Sequence, residues 1–85
     1  MSQEFEHHNL ARARLLRRQG RDDEAEAFLL EAIASDPEDA RAFCELALCR
    51  LNLEGKKKSA LDPIDRAIGL EPSAHHFAVK ALILN

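Results

Sequence analysis

The sequence predicts an all-α fold in which one helix–turn–helix unit is used twice and begun a third time. Three observations carry that prediction. The first is an echo: residues 25–37, AEAFLLEAIASDP, return as residues 60–72, ALDPIDRAIGLEP. Each copy has an alanine (Ala25, Ala60), an apolar residue four on (Leu29, Ile64), a second alanine (Ala32, Ala67) with an isoleucine beside it (Ile33, Ile68), and a closing proline (Pro37, Pro72). The second is a period. Ala13, Ala47 and Ala81 stand 34 residues apart, as do Ala40 and Ala74, and Phe43 and Phe77. The third is composition: 46% hydrophobic and 32% charged residues, with three Gly and three Pro in 85 residues, describe one small globular domain. Ala, Leu, Arg and Glu dominate it, all strong helix formers.

The elements follow in order. Ser2 is placed to cap a first helix that runs through Leu10, Ala13, Leu15 and Leu16 to about Gln19. Gly20 ends it in the left-handed position, with arginines crowding the last turn, where the helix dipole favours cations. Asp22 or Asp23 then caps a second helix with Phe28, Leu29, Ala32 and Ile33 on one face. In residues 36–39, DPED, proline stops that helix and opens the next, with Asp36 as the expected cap. The third helix carries Ala40, Phe43, Leu46, Ala47 and Leu51. Residues 54–58, EGKKK, are the turn after it. Ser59 to Asp62 resembles a capping box shortened by one methylene, which starts the fourth helix early and leaves Pro63 as a local irregularity in its first turn. Pro72 and Ser73 repeat the stop and start, and a fifth helix runs from about Ala74 to the end.

The paired alanines of the second and fourth helices are 35 apart, as are Pro37 and Pro72, whereas the third-to-fifth spacing is 34. The second copy therefore has one extra residue in its internal turn and one fewer in the linker that follows. Loops absorb such changes at little cost.

Helix pairs at this period resemble the tetratricopeptide repeat. The second copy supplies Phe43, Leu46, Ala47, Ala60, Ile64, Ala67 and Pro72 at that family's positions, and the first supplies Ala13, Leu16, Gly20, Ala25, Leu29, Ala32 and Pro37. Asn9 and Arg12 depart from it where large apolar residues are usual, and Arg50 stands where an aromatic is usual, with Leu51 beside it. The resemblance implies a right-handed solenoid of about five antiparallel helices: repeat one over about 4–36, repeat two over about 37–71, and a terminal helix over about 73–84. That terminal helix begins a third repeat with Ala74, Phe77, Ala81 and Leu84. Solenoid ends need a polar outer face, and AVKALILN is not polar. It is either a cap holding Lys80 and two histidines in water or, as expected here, part of a longer array, with an apolar face that promotes self-association.

Composition narrows the function. A formal charge of −3 makes no strong field of either sign, so neither nucleic acid nor an anionic membrane is expected as a partner. No apolar run approaches a membrane span, and the polar opening MSQEFEHHN is not a secretory signal. Cys44 and Cys49 fall on different faces of one helix, so no internal disulfide is expected and a reducing, cytoplasmic setting is.

Little in the sequence suggests chemistry. His7-His8 and His75-His76 are adjacent pairs whose members point about 100° apart on a helix, with no ligand at the next turn, so no metal is expected. The cysteines read as core residues rather than nucleophiles, and no phosphate loop or hydrolase motif is present. The chain reads as no enzyme, with no cofactor. Arg12, Arg14, Arg17, Arg18 and Arg21 form a basic run, with Lys56, Lys57 and Lys58 at the next turn; dipole compensation and pairing with nearby acids is the preferred account, because no aromatics interleave them.

The remaining candidate is the groove that the resemblance implies along the first helices of successive repeats. Position by position, Leu10 and Arg14 would line it from the first helix, Arg41, Cys44, Glu45 and Leu48 from the third, and His75, Ala78 and Leu82 from the fifth. Some family members hold a peptide carboxyl terminus there with lysine, asparagine and arginine. Leu10, Arg14, Glu45, His75 and Val79 stand at those positions here, so that activity is not expected. The sequence instead implies a scaffold or adaptor binding a peptide segment of another protein, acidic with apolar anchors, with Arg14 and Arg41 as charged anchors and Leu10, Cys44 and Leu48 as an apolar floor. The alternative is an oligomerisation module acting through the fifth helix.

Overall fold

A computed structural model describes the backbone of residues 2–85 and the side chains from His8 onward. Five α-helices follow one another: α1 Ser2–Arg18, α2 Asp22–Ser35, α3 Ala40–Asn52, α4 Leu61–Leu70 and α5 Ala74–Leu84, with a 3₁₀ turn, Lys57–Ala60, running directly into α4. Among the described residues there is no strand. Connections of a few residues force neighbouring helices antiparallel. The Cα extents of 39 × 27 × 17 Å leave room for two helical layers in the thinnest direction.

The core is two apolar clusters joined by α3. One gathers Leu10, Ala13 and Leu16 of α1, Ala25 and Leu29 of α2, and Leu46 and Cys49 of α3. The other gathers Ala40, Cys44 and Ala47 of α3, Ala60, Ile64 and Ala67 around α4, and Val79 and Ile83 of α5. Ala13, Ala25, Ala47, Ala60 and Ala67 are all fully buried, and their small side chains let the helices of each pair approach closely.

The helix ends show where local chemistry differed from expectation. After α1, Gly20 sits at φ +78°, Arg21 N–H donates to the Leu16 carbonyl at 2.9 Å and Gly20 N–H to the Arg17 carbonyl at 3.0 Å, which is the Schellman arrangement. The cap proposed for Ser2 lies outside the described side chains. At α2 the N-cap is Arg21, with no side-chain cap; Asp22 and Asp23 fall inside the first turn, where their charge complements the dipole. At α3 the cap is Asp39, not Asp36: its carboxylate accepts from Arg41 N–H at 3.0 Å. Asp36 instead accepts from Glu38 N–H at 3.1 Å, and Pro37 sits inside a turn closed by Asp39 N–H to the Asp36 carbonyl at 3.3 Å. Proline's fixed φ suits that turn as well as it suits a first helical residue.

Ser59 does not cap α4 either. Its hydroxyl donates to the Lys56 carbonyl at 2.6 Å, and the 3₁₀ turn is the irregularity expected around Pro63. Pro63 cannot donate to the Ser59 carbonyl four residues back, and Arg50 Nη1 of α3 donates to that oxygen at 3.2 Å. At α5 the expectation holds: Ser73 Oγ accepts from His76 N–H at 3.2 Å. His76, which the cap alternative puts in water, is buried, and its Nδ1 donates to the Glu71 carbonyl at 2.7 Å, fastening the turn between α4 and α5. Lys80, which the same alternative puts in water, pairs with Asp65 at 2.7 Å.

The buried alanines should not tolerate growth. Ala47→Leu is expected to cost about 1–3 kcal/mol by overpacking, against less than about 0.5 kcal/mol for Ala27→Leu on the exposed side of α2. Urea unfolding followed by circular dichroism measures both, and equal midpoints for the two variants would refute the close-approach account.

Candidate functional site

The nine residues predicted to line a groove do not share one surface. Leu10 is 3% exposed and Cys44 4%; each lies in one of the two core clusters and neither can form an apolar floor. The period explains the error. Leu10, Cys44 and Ala78 are 34-residue equivalents, and the first two are covered because another helix packs over them, α3 over α1 and α5 over α3. Ala78, last in the series, is exposed, as are His75 and Leu82. Leu48 is half-buried at the margin of the second cluster.

Arg14 and Glu45 are brought together, with Arg17 as a third member that the groove reading omitted. Glu45 is a charged residue only 8% exposed, on the face of α3 that meets α1. Arg14 Nε donates to its Oε1 at 3.2 Å and Arg17 Nε to its Oε2 at 2.8 Å. Two arginines three apart on one helix share a face, and a carboxylate buried on the neighbouring helix needs counter-charge. Each guanidinium meets Glu45 through Nε, and among the described residues its Nη groups make no hydrogen bond.

Arg41 is differently placed. Its Nε and Nη2 reach Asp39 Oδ1 and Oδ2, both at 3.1 Å, so its fork is occupied by its own helix cap. Burial pushes the Asp39 carboxyl up, but the hydrogen bonds and charge of Arg41 outweigh it and hold the group below the usual 3.8. Arg41 as a free charged anchor is therefore not what the geometry gives.

The other basic residues are also largely engaged within the chain. Arg50 Nε and Lys56 Nζ converge on Glu26 at 2.8 and 3.0 Å, joining α2, α3 and the following turn. Burial raises the Glu26 carboxyl, and the bonds and charges of Arg50 and Lys56 outweigh that, lowering it from the usual 4.5. Arg21 pairs with Glu24 at 2.6 Å, Lys57 Nζ donates to the Asn85 carbonyl at 3.0 Å, and Arg12 lies 5.5 Å from the Phe28 ring centroid. A second concavity was not foreseen: a cleft of about 340 Å³ lies between α2 and α4, floored by Phe43 and Leu46 and walled by Leu30, Ile33, Pro63 and Arg66.

The thiols are poor nucleophiles. Burial, helped by the neighbouring charge of Glu45, pushes Cys44 up to about 11, and burial with the charge of Asp22 pushes Cys49 up to about 12. Among the described residues no three His, Cys, Asp or Glu side chains are grouped to hold a metal ion, and no helix is long and apolar enough to cross a membrane.

The comparison with protein families bears on this arrangement directly. A family model, the tetratricopeptide repeat, matches residues 8–49, which run from α1 through α2 into α3. Residues 8–49 are a tetratricopeptide-repeat segment. No curated protein and no solved structure matches it. Tetratricopeptide repeats generally mediate protein–protein interaction and are in general non-catalytic. Under that name the matched segment is one helix pair plus most of the helix that closes it. Beyond the matched segment α3 and α4 form a second helix pair, with Ala47, Ala60, Ile64 and Ala67 buried in one cluster.

Two outcomes test this electrostatic arrangement. Glu45→Ala leaves two adjacent guanidiniums without their carboxylate and is expected to cost about 1–2 kcal/mol, the partial exposure of the arginines holding it below a fully buried pair; an unchanged urea midpoint would count against it. Because the Glu26 carboxyl is lowered on folding, its contribution is complete above 4.5 and disappears as pH falls through the folded value. The stability gap between parent and Glu26→Gln should therefore be constant at neutral pH and close in acid, and a gap that persists or widens there would show that charge is not what Glu26 supplies.

Proposed function

We propose that this chain is a non-catalytic scaffold or adaptor that binds a peptide segment of another protein on the face shared by α1 and α3. The observation that carries the reading is the Glu45-centred arginine pair. A buried carboxylate holds Arg14 and Arg17 side by side through their Nε atoms, at 3.2 and 2.8 Å, and leaves their Nη donors for an incoming group. Two guanidiniums on one carboxylate carry a net positive charge, and oriented forks match carboxylates in pairs of parallel hydrogen bonds. Leu48 lies one turn along α3 from Glu45 and offers an apolar contact beside that charge. The ligand class this favours is an acidic segment with one or two apolar side chains, bound through charge-assisted hydrogen bonds.

A peptide-display selection on the parent chain tests the reading. The comparison variant is Arg14→Gln with Arg17→Gln, whose amides still donate to Glu45, with folding checked by circular dichroism. Acidic peptides should enrich on the parent, lose affinity with added salt, and bind the folded variant more than about tenfold more weakly. Arg41→Gln, which removes a guanidinium already held by Asp39, should change affinity less than about twofold. Equal binding by parent and double variant would dismiss the arginine pair as the site.

A further inference from the structure

The cleft between α2 and α4 has its floor and both walls in the interior of the chain, with α3 beneath and a volume of about 340 Å³. It is the seam between the two core clusters: Ile33 and Leu46 belong to the first, and Phe43 packs against the second. Phe43, Leu46 and Arg50 follow one another on α3 at steps of three and four residues, so they share one side of that helix. Glu45 and Leu48 come from another side, and the cleft is therefore separate from the Arg14–Arg17 surface. The α2 wall is apolar, and its Leu30 stays 47% exposed at the rim. On the α4 wall Pro63 is buried, and Asp62 and Arg66 are exposed.

Two cations line this cleft, and they differ in what they hold. Arg50 is committed, with Nε on Glu26 at 2.8 Å and Nη1 on the Ser59 carbonyl at 3.2 Å. Arg66 has no carboxylate partner among the described residues. Its guanidinium carbon lies 5.9 Å from the ring centroid of Phe43, over the aromatic part of the floor. The nearby acids do not supply the missing anion. Glu26 is occupied by Arg50 and Lys56. Asp62, one turn before Arg66, forms no ion pair with it and sits in the first turn of α4, where the helix dipole balances its charge. A cation without its anion, resting on an aromatic floor, favours a ligand that brings apolar surface and a carboxylate together. Asp62 gives that ligand a direction, because it repels a carboxylate at its own end of the wall and leaves the Arg66 end to receive one.

We propose that this cleft receives one large apolar side chain of another protein, and that a carboxylate beside it in that protein pairs with Arg66. The volume lies at the small end of ligand sites, enough for a single side chain. A free small acid would leave Leu30 and the rim wet, whereas a protein segment carries its backbone across the rim and covers Leu30 as well. This docking stands or falls independently of peptide binding at Arg14 and Arg17.

Peptides selected by display on the parent chain are sorted by their affinity for variants whose folding is checked by circular dichroism. One class should set a large apolar residue beside an aspartate or glutamate. Its members should bind Leu30→Glu more than about tenfold more weakly and Arg66→Gln roughly fivefold more weakly, both changes being at exposed positions. Their affinity for the chain with Arg14→Gln and Arg17→Gln should be unchanged. Charge reversal is the second readout: Arg66→Glu should lose this class and regain binding when lysine replaces the acid of the peptide. Phenylpropionate, an apolar acid with no chain around it, should compete only at concentrations more than about a hundredfold above the peptide. The proposal is overturned if no such class enriches, or if its binding ignores Leu30→Glu or Arg66→Gln. It is equally overturned if acid and lysine peptides bind Arg66→Glu alike, or if phenylpropionate competes at the peptide's own concentration, which would make the ligand a small apolar acid.

Discussion

Close approach of helices at alanine is the constraint on which this architecture rests. Ala13, Ala25, Ala47, Ala60 and Ala67 are fully buried, and they stand where paired helices cross. Larger side chains there would push the helices apart and break the fit of Leu29 and Ile64, the two largest fully buried aliphatics. The alanines also have the highest helix propensity, so local preference and tertiary packing favour the same residue. With both satisfied, a chain of 85 residues without a disulfide distributes its core over two clusters and uses α3 twice. Leu46 and Cys49 face back towards α1 and α2, and Ala40, Cys44 and Ala47 face forward towards α4 and α5.

Electrostatics follow a parallel logic. Glu26 and Glu45 are half-buried and buried, and each draws two cations from other elements, three of the four (Arg14, Arg17 and Lys56) from stretches that read in sequence as basic runs. The acids organise the arginines, and not the reverse, because the acids sit on the packed faces. Such pairs are weak sources of stability when exposed, but a carboxylate held at a helix interface fixes which helices meet and in what register. The same arrangement holds Arg14 and Arg17 side by side through their Nε atoms.

Much of the fold was legible because period and local chemistry agreed. The 34-residue spacing marked α3 and α5 as equivalent helices, Gly20 marked the end of α1, and Ser73 marked the start of α5. Two of the caps that failed, Asp36 and Ser59, are cases in which a short polar side chain had two local options. Asp36 stabilises a turn by binding Glu38 N–H, and Ser59 bonds back to Lys56. The site was less legible. Leu10 and Cys44 were assigned to a surface by position within a repeat, but position alone does not say whether the next helix covers it. Arg17 was visible in the basic run, and its role depends on Glu45, 28 residues away, which only the fold brings near. The cleft between α2 and α4 has no sequence signature, since it is a gap between helices that both pack on α3.

The start of α4 has a further consequence, for modularity. A proline in its first turn removes the backbone donor for the Ser59 carbonyl, and the replacement donor is a side chain of the preceding helix, Arg50, itself steadied by Glu26 in the repeat before. Instructions for beginning one helix are thus written in two others. Repeat proteins are commonly treated as interchangeable bricks, but this brick arrives with part of its mortar in its neighbour. Grafted behind a different helix pair, residues 57–72 would keep their apolar pattern and lose the partner that completes their first turn.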